Sequence, residues 1–173
     1  MNQRKRYWGC AAGWMLLIYV SLYFVRPICD FLKGSTPFTL IINLGLAGVL
    51  SALAFWMIIR QKSSLLAVFL TVGLVGMYAL GLVLLSIPEE KIHFVEYGIL
   101  AVLIHRAFIV DAPALKAFVL AWIAASFIGW GDELIQGWLP NRYYQTKDIV
   151  LNSVSALLGL CWIAIFRWGR RVS

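Results

Sequence analysis

Two short polar islands carry nearly every side chain in this chain that could do chemistry. The first is Glu89-Glu90-Lys91-Ile92-His93-Phe94-Val95-Glu96-Tyr97. The second runs Asp132-Glu133-Leu134-Ile135-Gln136, then Pro140-Asn141-Arg142, Asp148 and Asn152. Both lie at the edges of apolar runs of membrane length, where an ionisable residue is costly and is a functional candidate by default. An imidazole among carboxylates suits two chemistries. It can move protons near neutral pH when a carboxylate fixes its tautomer. With two or three carboxylates it can also hold a divalent ion such as Zn, Mn or Mg. A His93 that simply bonds one helix to another is the third alternative.

Helical spacing sharpens the pattern. His93, Glu96 and Tyr97 stand at i, i+3 and i+4 and share a face, as do Asp132 with Gln136, Glu133 with Gln136, and Asp148 with Asn152. Asp132 and Glu133 are adjacent and point about 100° apart, so one is expected in the site while the other finds a cation or a backbone partner. Arg142 offers a planar fork for a phosphate or carboxylate, or else a salt bridge to Asp132 or Asp148. Asp148 either orients Arg142 or caps a helix. Asn152, one turn further in, needs a hydrogen-bond partner there. Glu89 and Glu90 follow Pro88 and read as ordinary helix-start acids. Ser155 and Gly159 give the last span a small-xxx-small seam.

The elements that must position these residues are membrane helices. Of 173 residues 62% are hydrophobic and 13% charged, with a mean hydropathy of +0.84, too apolar for a soluble domain of this size. A helix crosses the hydrocarbon core with about 20 apolar residues. That criterion gives six spans, at about 8–25, 39–59, 65–87, 92–110, 116–139 and 149–166, with breaks at 26–38, 60–64, 88–91, 111–115 and 140–148. The expectation is an all-α polytopic bundle: three helices over 1–87, three more over 88–166 that carry the polar islands, and a basic tail over 167–173.

The net charge of +7 comes from Lys and Arg flanking the spans rather than from a nucleic-acid surface. Arg4, Lys5, Arg6, Arg60, Lys62, Arg106, Lys116, Arg167, Arg170 and Arg171 fall on the side of the two termini. Arg26, Lys33, Lys91, Arg142 and Lys147 fall on the other. This bias places both termini in the cytoplasm and both polar islands at the outer face. The basic start followed by an apolar run imitates a signal peptide, but Arg26-Pro27 follows in place of a small-residue cleavage site, so an uncleaved first helix is expected. Cys10, Cys29 and Cys161 are scattered without CxxC spacing and read as packing residues. GxSxG, HExxH, P-loop and dinucleotide signatures are absent.

Taken in order, the motifs resemble the VanZ-like family of bacterial membrane proteins. The family shows H-F-x-x-Y, D-E-x-x-Q, P-x-R and D-x-x-x-N-x-x-G, which here read His93-Phe94-Val95-Glu96-Tyr97, Asp132-Glu133-Leu134-Ile135-Gln136, Pro140-Asn141-Arg142 and Asp148-Ile149-Val150-Leu151-Asn152-Ser153-Val154-Ser155. The likeness spans about residues 88–160. Ser155 replaces the last glycine, Glu89 holds an acidic position with Lys91 displaced, and Tyr143 and Tyr144 stand where small polar residues are usual. The resemblance implies a multi-span protein of the bacterial cytoplasmic membrane. It also implies a link to teicoplanin, a lipoglycopeptide that binds wall precursors outside the cell, without naming a reaction.

Three functions fit these residues. The first is an outer-leaflet enzyme acting on a lipid-linked or lipid-anchored head group. In it, His93 and Glu133 serve as acid/base groups or metal ligands, and Asp132 or Asp148 orients them. Arg142 holds an anionic group, and Gln136, Asn152 and Tyr97 hydrogen-bond substrate. The second is a non-catalytic binder of an envelope precursor, lipid or lipophilic drug at the same place. The third is a small transporter built of two inverted halves, although the second half's motifs have no echo in the first.

Overall fold

The computed structural model describes residues 2–35, 37–60, 65–85, 87–139 and 142–172. Pro140 and Asn141 of the expected P-x-R motif lie outside the described residues, as do Lys62 and the side chains of Arg26, Lys33, Arg60, Arg170 and Arg171. Six helices follow one another: α1 (Gln3–Ser35), α2 (Phe38–Arg60), α3 (Leu65–Leu84), α4 (Pro88–Phe108), α5 (Ala114–Gln136) and α6 (Thr146–Val172). No strand occurs among the described residues. Two side-chain links show the helices alternating in direction. Arg4, at the start of α1, pairs with Asp111 in the α4–α5 turn at 3.0 Å. Lys91, at the start of α4, donates to Asn43 near the start of α2 at 2.6 Å.

Among the described residues five helices, α1, α2, α3, α5 and α6, are long and apolar enough to cross a membrane, so the protein is a multi-pass helical membrane bundle. The sixth expected span is α4. Its 21 residues reach about 31 Å, which is sufficient length. It fails as an apolar span because Glu89, Glu90, Lys91, His93 and Glu96 fill its first turns. The bundle resolves that conflict by placing α4 in the middle. Side chains are buried around much of its circumference, with α1, α5 and α6 packed against it and Tyr78 of α3 edge-on to Phe94. The one helix of the six without an apolar stretch of membrane length is thereby the one kept from lipid, as the cost of intramembrane charge requires.

Packing does not follow the expected division at residue 87. The main core joins Ala11 and Ile18 of α1 to Tyr97, Leu100, Ala101 and Ile104 of α4, Ala121 and Ala125 of α5, and Ala156 and Leu160 of α6. The first helix thus belongs with the last three. By contrast, Met57 alone among the described side chains of α2 is fully buried.

Several expected boundaries move. The break placed at 26–38 is helical as far as Ser35, with Pro27 inside α1. Proline costs about 3 kcal/mol within a helix, but the buried stripe of Ile18 and Leu22 resumes at Cys29, so packing carries the helix onward. The break placed at 88–91 is the first turn of α4. Ile87 is extended (φ −101, ψ 126) as residues before proline are, and Pro88 enters where no intrahelical N–H is needed. The basic tail from 167 is the last part of α6.

Close approach of α4, α5 and α6 depends on small residues. Along α5, Ala117, Ala121, Ala125 and Gly129 recur every four positions and are all buried. A Cβ on Gly159 would strike the backbone of Gly98, so α4 and α6 touch main chain to main chain. Beside that contact the Ser155 hydroxyl donates to the carbonyl of Phe94. Gly159→Ala is expected to cost about 1–3 kcal/mol, because backbone cannot yield as a side chain can. Gly73→Ala, where a Cβ meets nothing within 4 Å, serves as the neutral control. Thermal unfolding of both variants in detergent checks the difference.

Candidate functional site

The interior stripe of α5 turns polar at its end. After Gly129 the next buried positions are Asp132, Glu133 and Gln136. They meet the first turns of α4 and α6, at the end of the bundle opposite both chain ends. Here a cavity of about 210 Å3 is lined by His93, Glu89 and Glu90 of α4, Asp132, Glu133 and Gln136 of α5, and Asp148 and Asn152 of α6, with Arg142 and Gln145 from the connecting loop and Asp30 from α1. Seven of the eight expected site residues line it. The helix residues at its floor are deeply set, with Asp132 1%, Asn152 2% and His93 7% exposed, whereas Arg142 and Asp148 are half-buried and Asp30 and Gln145 exposed.

The eighth, Tyr97, does not line the cavity. It is fully buried behind it, where its hydroxyl donates to Asp132 Oδ2 at 3.0 Å. The expected substrate contact is therefore a positioning residue. The i, i+4 turn that puts Tyr97 beneath His93 also places its hydroxyl against α5.

The two adjacent acids both line the cavity but differ in their partners. Glu133 has both oxygens occupied: Gln136 Nε2 donates to Oε1 at 3.1 Å, and the Gln145 amide donates to Oε2 at 3.0 Å. This carboxylate ties the end of α5 to the loop that leads into α6 while still lining the cavity. Asp132 keeps Oδ1 buried and unpartnered, so it presents the available oxygen.

Arg142 also departs from expectation. It makes no ion pair with Asp132 or Asp148. Its guanidinium donates to Gln136 Oε1 at 3.0 Å and to the Leu22 carbonyl at 3.4 Å. The fork is thus divided between α5 and α1 and straps the loop down, so the expected anion clamp is already engaged. Only its Nε is left buried without a partner.

Glu89 and Glu90 do more than start a helix. Both are buried and line the cavity, and Glu90 pairs with Lys147 at 3.1 Å, which bridges α4 to α6. Asp148 and Asn152 face the cavity one turn apart, as their spacing predicts, and each keeps Oδ1 unpartnered. His93 Nδ1 lies 3.1 Å from Glu96 Oε2, at charge-pair distance but at an angle poor for a hydrogen bond; neither ring nitrogen has a bonded partner.

Among the described residues, six of the seven buried polar side-chain atoms that make no hydrogen bond belong to residues lining this one cavity: two on His93, of which Nδ1 has Glu96 at ion-pair distance, and one each on Asp132, Asp148, Asn152 and Arg142. Each such atom costs about 1–3 kcal/mol when nothing satisfies it, and proteins keep few of them. Their concentration in one place marks a site built to be filled by polar matter. Among the described residues, no three His, Cys, Asp or Glu side chains are grouped so as to hold a metal ion.

Some contributors left no trace in the residue pattern. Gln145 acts through its backbone amide, and Leu22 through its carbonyl. Asp30 reaches the cavity only because α1 runs past Pro27.

Tyr97→Phe is expected to lower stability by about 1–3 kcal/mol, since it leaves the buried Asp132 carboxylate without its donor. In an Asp132→Asn background the same change costs less. A double-mutant cycle by thermal unfolding in detergent measures the coupling, and additive effects would show that the two do not interact.

No family model, curated protein or solved structure matches this chain.

Proposed function

We propose that this chain is a VanZ-like protein of the bacterial cytoplasmic membrane, an outer-face enzyme that acts on the polar head group of a lipid-linked or lipid-anchored envelope component. The observation that carries the reading is the cluster of unpartnered buried atoms around one small cavity. Its volume of about 210 Å3 is below the range of about 300–1,000 Å3 for drug-sized ligands, which suits a head group entering from a lipid better than an enclosed drug molecule. The distribution of Lys and Arg supports an outward-facing cavity, because the richer set flanks the opposite end of the helices.

His93 is the acid/base group in this reading. Glu96 on its Nδ1 side stabilises the protonated ring, and Nε2 remains unbonded for the proton of an attacking water or hydroxyl, which it then returns to the departing oxygen. Asp132, held by Tyr97, together with Asp148 and Asn152, fixes the head group. One observation favours the non-catalytic binder as the second reading: no Ser, Thr or Cys among the described residues lines the cavity, so no nucleophile of those types is on offer.

The test expresses wild type, His93→Gln and Asp132→Asn at matched membrane levels in a teicoplanin-sensitive Gram-positive host. Drug susceptibility and the lipid profile by mass spectrometry are read together. The enzyme reading expects reduced susceptibility and a changed head group with wild type, both lost in His93→Gln. Reduced susceptibility without any change in lipid composition supports the binder instead. Unchanged susceptibility and lipids with wild type overturn both.

A further inference from the structure

The unpartnered atoms around the cavity are unequal in kind. Asp132 Oδ1, Asp148 Oδ1 and Asn152 Oδ1 are three acceptor oxygens, each buried and each without a donor. They come from two helices, with Asp148 and Asn152 one turn apart on α6 and Asp132 opposite on α5. The cations nearby are largely committed. Arg142 spends both terminal nitrogens on Gln136 and Leu22, and Lys147 is paired with Glu90. Meanwhile six carboxylates line the cavity, those of Asp30, Glu89, Glu90, Asp132, Glu133 and Asp148. A phosphate or carboxylate placed among them would meet like charge and acceptors facing acceptors.

The complementary group is one that brings donors and positive charge. A primary ammonium has three N–H donors and no acceptor, which equals the number of unsatisfied oxygens. We propose that the cavity recognises a primary ammonium group, with Asp132, Asp148 and Asn152 accepting its three N–H bonds. Charge-assisted hydrogen bonds of this kind are about twice as strong as neutral ones. His93 of α4 lines the same cavity as the bound amine, and the unpartnered Arg142 Nε is left to donate to an oxygen of the ligand. This inference rests on the head-group reading above and narrows it to amine-bearing ligands. The ammonium could arrive on an aminophospholipid such as phosphatidylethanolamine or on a free small amine.

The experiment uses the purified full-length chain in detergent. Short-chain phosphatidylethanolamine, phosphatidylcholine and phosphatidylglycerol, and soluble ethanolamine, are each titrated while the thermal midpoint is followed. The expected result is saturable stabilisation by phosphatidylethanolamine, with phosphatidylcholine, which has the same acyl chains but no N–H, at least about tenfold weaker. Asp148→Asn and Asp132→Asn, each first shown to keep a cooperative unfolding transition, should each weaken phosphatidylethanolamine about tenfold, because the amide keeps an acceptor oxygen but removes a negative charge beside the ammonium. Ethanolamine binding as tightly as the lipid upholds the ammonium site and assigns its source to a free amine. Equal binding of the choline and ethanolamine lipids, preference for phosphatidylglycerol, no binding by any amine, or full affinity in both variants would each overturn the proposal. Failure here is distinguishable from failure of the catalytic reading. Selective amine binding with an unchanged lipid profile sinks catalysis alone, whereas turnover of a head group lacking N–H sinks the ammonium site alone.

Discussion

Burying a charged helix inside an apolar bundle is the constraint on which the rest of this structure depends. Lipid cannot solvate Glu89, Glu90, Lys91, His93 and Glu96, so protein must. The solution is a ring of α1, α5 and α6 around α4. Every carboxylate brought inside then needs donors. Tyr97 serves Asp132, Gln136 and the Gln145 amide serve Glu133, and Lys147 serves Glu90. Apart from Glu96 Oε2, which lies beside His93, the oxygens left over belong to residues that line the cavity. Function and burial are therefore two aspects of one arrangement: where the protein supplies partners it is structural, and where it withholds them a site results.

Small residues make that arrangement affordable in space. Because Gly98 and Gly159 bring α4 and α6 to backbone contact, and a Cβ at Gly129 would lie 2.9 Å from Asn152 Cβ, the three site-bearing helices converge without long side chains between them. Short reach means few rotatable bonds in the groups that hold Asp132, Asp148 and Asn152. Positional precision is thus inherited from helix packing rather than from loops.

Much of this was legible beforehand, for physical reasons. Membrane-length apolar runs are hard to mistake, and helical periodicity placed Asp148 with Asn152 and His93 with Tyr97 on shared faces. What periodicity could not give was depth. Glu89 and Glu90 look like a helix start because they are one, and only the surrounding helices make them interior. Neither could spacing decide which of Asp132 and Glu133 would be satisfied, since that turned on the amide of Gln145 across a loop. Arg142 was read by its chemistry as an anion clamp, yet its bonds go to Gln136 and to a carbonyl of α1, a helix more than 100 residues earlier in the chain. The extension of α1 through Pro27 was hidden by a residue that usually ends helices.

The central position of α4 also bears on biogenesis. Ribosomes make this chain from its first helix onward, and α4 emerges when only one of its three main partners, α1, has been made. The two others, α5 and α6, are still to come. The polar helix is therefore the last to become comfortable in the membrane, although it is fourth in order of synthesis. Final closure of the bundle waits for α6 to leave the ribosome, so a chain truncated before Thr146 would expose the acids and His93 at the start of α4 and present membrane quality control with a ready degradation signal.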